Sequence, residues 1–152
     1  MKHPSLIRPA TAADTEKIGA IARAAYSTYV PRIGREPAPM VADFAAHIAR
    51  NVAVVIETDS EVRGFMMAWP GADAYFVDNI AVAPASQGQG LGRKLIGHAA
   101  NEARRHNLST VRLYSNVAMT ENLAMYRHIG FVETHRAMEY GFNRVYMRWD
   151  LS

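Results

Sequence analysis

Three glycines at alternate positions, Gly88, Gly90 and Gly92, lie between a strand-like run of residues and a strongly helical one. Glycine lets the backbone turn tightly and leaves its N–H groups uncovered. A helix that begins at such a turn adds the positive end of its dipole, so the turn can hold a pyrophosphate without many lysines. The residues predicted to bind phosphate are Gln87, Gly88, Gln89, Gly90, Leu91 and Gly92 through their amides, with Arg93 and Lys94 reaching outer phosphates.

Two better-known glycine loops do not fit this segment. No Gly-Lys-Ser/Thr closes the turn, which argues against a loop that binds nucleoside triphosphates. The glycines are too closely spaced for a dinucleotide-binding fingerprint, and no acidic residue ends the following strand at the usual distance. Taken alone, the segment leaves open a plain turn between a strand and a helix that binds nothing.

Two separate segments of the sequence carry recognisable motifs. The first is Asn79-Ile80-Ala81-Val82-Ala83-Pro84 followed by Gln87-x-x-Gly90-x-Gly92, and it resembles the acetyl-CoA-binding segment of the GNAT superfamily of acetyl-CoA-dependent N-acetyltransferases. The second covers residues 122–131 and is similar to the second motif, in which a tyrosine is followed by Gly-Phe. Because the two motifs occur in the expected order, separated by one helix and one strand, the match is specific. It is sharpest from about residue 75 to residue 131.

The resemblance implies a single α/β domain over residues 1–152. Its central sheet would be mixed, mostly antiparallel, splayed between strands 4 and 5, and flanked by about four helices. The implied reaction moves an acetyl group from acetyl-CoA to the amine of a small molecule or peptide by direct attack in a ternary complex, and the chain has no cysteine to form an acyl-enzyme. Relatives are often dimers, so a homodimer is also an expectation.

The same similarity assigns roles around the thioester. The backbone of the strand around Asn79 to Val82, including Ile80 and Ala81, is expected to bind the pantetheine arm. The backbone near Ile80 and Ala81 is also expected to polarise the thioester carbonyl. Tyr126 would lie beside the sulfur and protonate the departing thiolate as a general acid, and the alternative is a half-buried aromatic that only packs. Asn122 would contact the pantetheine arm or simply occupy the first turn of its helix.

No single residue is predicted to be the general base. Tyr114 stands where some relatives that acetylate protein N-termini carry a glutamate, and Met119 stands where many relatives carry an asparagine. Attack on a thioester needs a neutral amine, so a water relayed by backbone carbonyls or by Asp78, Asn79 or Tyr114 is expected to remove the proton. A second class of function stays open: a non-catalytic acyl-CoA-binding or regulatory module, against which the presence of Tyr126 argues.

The segment of residues 27–39 contains three prolines and a glycine, and this composition predicts a loop. In relatives the connection between the first two helices covers the acceptor end of the cleft. Tyr29, Arg32, Arg35 and Glu36, together with Asn79, are therefore expected to bind the amine substrate. Two arginine forks predict an acceptor with a carboxylate or comparable anionic group beside its amine. The alternative is a solvated surface loop.

The hydrophobic pattern predicts the elements that position these residues. Strands are expected at residues 6–8, 52–57, 62–69, 75–82, 110–114, 131–136 and 144–150. Helices are expected from the cap Thr11 to residue 26, from near Pro39, from the glycine turn to about residue 106, and over residues 120–129, where Gly130 follows.

Composition excludes several other classes of protein. The 152 residues fit one domain with a substantial core, and 49% of them are apolar, which is far from a disordered composition. The absence of cysteine excludes disulfides and thiolate metal sites, and it predicts a cytoplasmic protein. Neither a secretory leader nor a membrane-spanning stretch is expected from the hydropathy pattern.

The charge pattern favours a small polyanionic ligand over a nucleic acid. Seventeen lysines and arginines against 14 acids give a formal charge of +3, and the basic residues are scattered. No aromatic and basic RNA-binding motif is visible. The six histidines, including His3, show no metal-ligand spacing, so no metal is expected.

Overall fold

The computed structural model describes residues 4–152, so His3 lies outside it. The strands are β1 (Ser5–Pro9), β2 (Ala53–Thr58), β3 (Glu61–Pro70), β4 (Tyr75–Val82), β5 (Thr110–Asn116), β6 (Val132–Glu139) and β7 (Phe142–Asp150). The helices are α1 (Thr15–Ser27), α2 (Val30–Ile33), α3 (Phe44–Ala49), α4 (Leu91–Arg105) and α5 (Thr120–Ile129). No helix within the described residues is both long enough and apolar enough to cross a bilayer.

The seven strands form one mixed sheet in the order β1-β2-β3-β4-β5-β7-β6. Every neighbouring pair is antiparallel except β4 and β5, which are parallel. The connection between these two strands crosses over through α4, as parallel pairing requires. The predicted fold class, a mixed and mostly antiparallel sheet in an α/β domain, is confirmed.

Helices cover both faces of the sheet, so the protein has two cores. On one face α4 and α5 pack on the sheet, and Leu95 and Ile96 of α4 are fully buried there. On the other face α1 and α3 cover β2, β3 and part of β4 around Ile18 and Phe65. The alternation of buried residues along the strands follows from this arrangement, since successive side chains point to opposite faces.

Strand β4 contains a β-bulge at Asp78. Two adjacent residues of β3 pair with Val77 and Asn79, so Asp78 has no residue opposite it. A bulge bends its strand and increases the local twist. The pairing of β4 with β5 ends at the same place, because Val77 opposite Leu113 is its last pair. The sheet therefore opens between the second half of β4 and the end of β5, which confirms the predicted splay.

Two predictions about the segment after α1 were wrong. Residues 27–39 were expected to be a loop, but α2 forms there with Pro31 in its first turn. A proline is tolerated at that position because an N–H in the first turn has no hydrogen-bond partner within the helix. Pro39 was expected in the first turn of the next helix. Instead it belongs to a separate 3-10 turn, Ala38–Val41, and α3 begins after the N-cap Asp43, whose carboxylate accepts from the Ala46 amide at 3.0 Å.

The last two strands are longer than predicted and form a hairpin. Tyr140 and Gly141 join them with φ angles of 51° and 78°. Two successive positive φ values are typical of the tight turn that matches the twist of hairpin strands. This turn brings the end of β6 and the start of β7 beside the opening in the sheet.

An ion-pair network fixes β1 to the start of the first helical segment. Arg8 donates to the two carboxylate oxygens of Asp14 at 2.8 and 3.0 Å and to Glu57 of β2 at 3.1 Å. Asp14 also accepts from the Thr11 N–H at 2.8 Å, which caps the segment at the predicted residue. The Arg8 guanidinium lowers the pKa of Asp14 from 3.8 to about 2.

Asp14→Asn is expected to lower the free energy of unfolding by about 1–2 kcal/mol at neutral pH, because the carboxylate of a charged network is lost. Since the folded-state pKa lies below the unfolded value, this contribution is complete above about pH 4 and disappears as the pH falls toward about 2. Urea unfolding should therefore show a difference between the two proteins that shrinks in acid. Asp150→Asn, which removes an exposed partner of Arg148, should cost little at any pH.

Candidate active site

Two adjoining cavities lie along the opening between β4 and β5. The turn cavity, beside the glycine turn, holds about 430 Å³, a volume typical of ligand pockets. The bulge cavity, beside Asp78, holds about 40 Å³, which is room for a small polar group such as an amine while the rest of a ligand lies outside it. Tyr26, Ile80, Asn122 and Tyr126 line both cavities and mark the point at which they meet.

The turn cavity brings together most of the residues predicted to bind the cofactor. They are Ile80, Ala81, Val82, Gln87, Gly88, Gly90, Leu91, Gly92, Arg93 and Asn122. Two predicted residues lie elsewhere. Gln89 is exposed and does not line the cavity, and the Lys94 ammonium donates to the Ser5 hydroxyl at 2.9 Å instead of facing it.

The glycine turn has the backbone conformation that the sequence predicts. Gly88 and Gly90 have φ angles of 83° and 81°, the left-handed region in which other residues are strained. A Cβ atom at either position would meet nothing within 4 Å, so the space above the turn is open. The first bond within α4 runs from the Lys94 amide to the Gly90 carbonyl, which leaves the amides of residues 91–93 uncommitted at the helix N-terminus.

Gln87 braces the turn. Its backbone N–H donates to the Pro84 carbonyl at 3.3 Å, and its side-chain amide donates to the Val82 carbonyl at 3.2 Å. The Gln87 amide is therefore not free for a phosphate, in contrast to the prediction. The side chain instead connects the glycine turn to the end of β4.

The edge of β4 beyond the bulge offers backbone donors to the opening. The Ala83 amide donates to Arg63, which is opposite it in the ladder. In an antiparallel ladder, every second pair of facing residues exchanges backbone hydrogen bonds, and the backbone groups of the pairs between them point away. The backbone N–H and C=O of Ala81 therefore point to β3, whereas those of Ile80 and Val82 point into the opening. The carbonyls of these two residues accept from Tyr26 and Gln87, respectively, which leaves their N–H groups for a ligand. Ala81, predicted to contribute its backbone, is engaged in the sheet.

Tyr126 lies on α5 at the junction of the two cavities. Only 4% of it is exposed, and its ring packs edge-on against Phe131. Within residues 4–152 its hydroxyl makes no hydrogen bond, and burial raises its pKa well above the usual value near 10. Asn122 lies one turn earlier on the same helix, and its side-chain amide is likewise without a hydrogen bond to the described chain. Both polar groups therefore face the junction with unused hydrogen-bonding capacity.

The bulge cavity has one carboxylate and one guanidinium in its wall. Asp78 is half-buried, and burial raises its pKa, although His47 and Arg144 oppose this shift. Arg144 is 9% exposed and lies over the ring of Tyr114, with its guanidinium carbon 4.2 Å from the ring centre. The remaining wall is mainly apolar or aromatic and includes Phe142 of β7.

Asn79 holds the walls of the site together. Its side-chain oxygen accepts from the Tyr26 hydroxyl at 2.8 Å, and its amide donates to the Pro39 carbonyl at 2.9 Å. The residue is 3% exposed. Both ends of the side chain are thus used to join β4 to α1 and to the 3-10 turn. Asn79 was predicted to bind the substrate, but its bonds make it a structural support of the site.

Residues 28–41 form a strap over the bulge cavity, and its arginines contact the protein itself. Arg32 donates to both oxygens of Glu121 on α5 at 2.9 and 3.1 Å. Arg35 donates to the Tyr140 carbonyl in the hairpin turn and lies 3.8 Å above the centre of the Phe142 ring. The two arginines therefore tie the strap to α5 and to the β6–β7 hairpin.

The strap residues predicted to bind the amine do not line the bulge cavity. Arg32, Arg35 and Glu36 are exposed outside it, and Tyr29 lines the turn cavity. The strap contributes Pro37, Ala38 and Pro39 to the bulge cavity instead. The argument for a carboxylate-bearing acceptor depended on free guanidinium groups, and these groups have protein partners.

Comparison with known families identifies the arrangement. Residues 49–133, more than half of the chain, match the family model described as an acetyltransferase (GNAT) domain. The chain belongs to the GNAT acetyltransferase family. It is therefore an acetyltransferase, with acetyl-CoA as its co-substrate. No curated protein sequence matches it.

Solved structures with low sequence identity share the GNAT fold. Ard1 from Thermoplasma volcanium is 20% identical with a TM-score of 0.79, over 97% of this chain and 98% of that one. PaiA N-acetyltransferase from Thermoplasma acidophilum, solved in complex with coenzyme A, is 15% identical with a TM-score of 0.79, over 97% and 99% of the two chains. Nourseothricin acetyltransferase is 24% identical with a TM-score of 0.62, but the match covers 66% of this chain and only 65% of that one.

Several residues of the GNAT site have no signal in the sequence. Phe142 and Arg144 reach the bulge cavity from β7, a strand in which the sequence shows no motif. His47, whose Nε2 lies 3.8 Å from an Asp78 oxygen, is one of six scattered histidines. Within the part of the chain that the structure describes, no cluster of three or more His, Cys, Asp or Glu residues is arranged to hold a metal ion.

Gly90→Val is expected to weaken acetyl-CoA binding by about tenfold or more, because the new side chain occupies the open space above the turn and strains the left-handed backbone. Isothermal titration calorimetry with acetyl-CoA measures the effect. Gly34→Val is the matched control, since Gly34 has a φ of 92° and equally open surroundings but lies in the strap. Equal affinities for the two folded variants would contradict the assignment of the turn.

Proposed function

We propose that the enzyme transfers the acetyl group to an amine by direct attack, with the thioester at the junction of the two cavities. The observation that carries this proposal is the set of residues shared by both cavities: Tyr26, Ile80, Asn122 and Tyr126. A cofactor that fills the turn cavity and an amine that enters the bulge cavity meet only there. Direct attack also fits a sequence without cysteine.

The cofactor would lie along the turn cavity with its pyrophosphate on the glycine turn. The amides of residues 91–93 and the dipole of α4 favour an anion at that end. Arg93 lines the same cavity and would reach a further phosphate. The pantetheine arm would then follow the free edge of β4, where the N–H groups of Ile80 and Val82 offer the donors that β5 does not use.

The Ile80 amide is the donor that we assign to the thioester carbonyl. Ile80 lines both cavities, and its N–H faces the opening. As the amine attacks, negative charge develops on the carbonyl oxygen, and a fixed backbone donor stabilises it without reorganisation. The Tyr26 hydroxyl holds this segment in place through the Ile80 carbonyl at 3.0 Å.

Tyr126 would stabilise the departing thiolate with its free hydroxyl. Its pKa is raised above 10 by burial, whereas a thiol has a pKa of about 8.5, so complete proton transfer from the phenol to the thiolate is uphill. A hydrogen bond from the phenol to the sulfur avoids that cost and is strong in a buried site. This assigns Tyr126 a more limited role than the general acid expected from the sequence.

The alternative of a non-catalytic acyl-CoA-binding module is less well supported. Such a module needs only the turn cavity. This chain also has the bulge cavity, which contains the Asp78 carboxylate, and the Tyr126 hydroxyl lies where the two cavities meet. The amine acceptor, the homodimer and the cytoplasmic location expected from the sequence stay predictions.

Tyr126→Phe should lower kcat by about ten- to a thousandfold and leave acetyl-CoA affinity nearly unchanged, because only the hydroxyl beside the sulfur is removed. Tyr75→Phe is the control, since Tyr75 is also buried in the core under α4 but does not line either cavity. Thiol release from acetyl-CoA in single-turnover experiments measures the chemical step. If Tyr126→Phe matches the wild-type rate there, the tyrosine is only a packing residue.

A further inference from the structure

The two charges in the wall of the bulge cavity are unequally compensated. Arg144 already has a counterion, because its Nη1 donates to Glu139 at 3.1 Å. Its guanidinium also lies between two rings, 4.2 Å from the centre of Tyr114 and 5.6 Å from that of Tyr140. The charge of Arg144 is therefore balanced, and the side chain is held in place without a ligand.

Asp78 has no such partner. None of the described residues donates a hydrogen bond to its carboxylate, and the nearest cationic group is His47, whose Nε2 lies 3.8 Å away. The other ring nitrogen of His47, Nδ1, lies 2.8 Å from the Asp43 carbonyl, which can only accept a hydrogen bond, so Nδ1 carries the proton. The Nε2 atom of His47 is therefore the ring nitrogen that faces Asp78, but 3.8 Å is too long for a hydrogen bond. The carboxylate faces the cavity without a hydrogen-bond donor, and the positive groups near it, His47 and Arg144, act on it only through space.

The rest of the cavity wall also favours a cation over an anion. Tyr26, Tyr114, Tyr126 and Phe142 contribute aromatic rings. The faces of aromatic rings carry partial negative charge and attract cations. Burial raises the pKa of Asp78, as expected for a carboxylate that has lost water and gained no fixed donor. An ammonium group supplies the hydrogen-bond donors that this carboxylate lacks, together with a positive charge in direct contact.

We propose that the acceptor is an alkylamine that enters as its ammonium ion, is bound by Asp78, and carries no carboxylate beside the amine. The inference rests on the proposed function and specifies its substrate class. A carboxylate next to the amine would lie close to Asp78 and meet like-charge repulsion. The guanidinium of Arg144 is already paired with Glu139, so it is not a free partner for such a carboxylate. This class differs from the anionic acceptor that the strap arginines suggested.

The same contact accounts for the protons of the reaction. The ammonium releases one proton to solvent at the open side of Asp78, because direct transfer from an alkylammonium to a carboxylate is far uphill, and the free amine then attacks the thioester carbonyl. The C–N bond forms and the C–S bond breaks, and the sulfur leaves as a thiolate hydrogen-bonded to Tyr126. The nitrogen then loses its second proton, which neutralises the thiolate. Asp78 holds the nitrogen in place throughout and gains no proton.

The acceptor class can be tested with matched compounds that differ only beside the amine. Phenethylamine, phenylalaninamide and phenylalanine form one set, and isopentylamine, leucinamide and leucine form another. The wild type should acetylate each alkylamine with a kcat/KM about tenfold or more above that of its amino acid, as like-charge repulsion predicts. The carboxamides have nearly the size of the amino acids but no carboxylate charge, so their kcat/KM should be closer to that of the alkylamines. Equal or better use of the amino acids would overturn the inference.

Asp78→Asn should lower kcat/KM for the alkylamines by about thirtyfold or more and leave the affinity for acetyl-CoA unchanged. It should also reduce the ratio of kcat/KM between each alkylamine and its matched amino acid. Asp73→Asn removes an exposed carboxylate near Arg112 and should behave as wild type. An unchanged preference in folded Asp78→Asn would overturn the inference.

If amino acids or peptides release thiol and alkylamines do not, the acceptor class is wrong but acetyl transfer stands. If no acceptor releases thiol although acetyl-CoA binds, the proposed function fails as well.

Discussion

The β-bulge at Asp78 is the constraint on which the rest of the site depends. It bends β4 at the residue where its pairing with β5 ends. A continuous sheet would have no gap for a ligand, because each strand would use its neighbour's backbone groups. The bulge also turns the side chain of Asp78 into the bulge cavity while its neighbour Asn79 is buried against α1. One extra residue in a strand therefore produces both the opening and the only carboxylate among the described residues that line the bulge cavity.

An opened sheet leaves polar backbone groups that need other partners. The Tyr26 hydroxyl and the Gln87 side chain satisfy the carbonyls of Ile80 and Val82, and they come from α1 and from the glycine turn. The remaining N–H groups are the donors that we assign to acetyl-CoA. The unpaired edge is thus stable as part of the fold and still available for binding, which a regular sheet does not permit.

The strap connects the halves of the site through ordinary ion-pair and ring contacts. Arg32 joins it to α5, the helix that carries Asn122 and Tyr126, and Arg35 joins it to the hairpin of β6 and β7. With these arginines paired elsewhere, the charged side chains that line the bulge cavity are those of Asp78 and Arg144. The local partners of each charge, rather than the number of charges, decide which acceptor fits.

The sequence by itself determined the fold class, the order of the seven strands and of every helix except α2, and the conformation of the glycine turn. These depend on local rules: glycines that adopt positive φ, a helix that follows them, and hydrophobic periodicity along the chain. Tertiary structure decided which residues line the bulge cavity, where Asp78 of β4, Tyr114 of β5 and Arg144 of β7 come together from distant segments. It also decided that Asn79, Arg32 and Arg35 are engaged in internal bonds. A side chain is available to a substrate only if the folded protein leaves it without a partner, and those partners are set by contacts between residues far apart in the sequence.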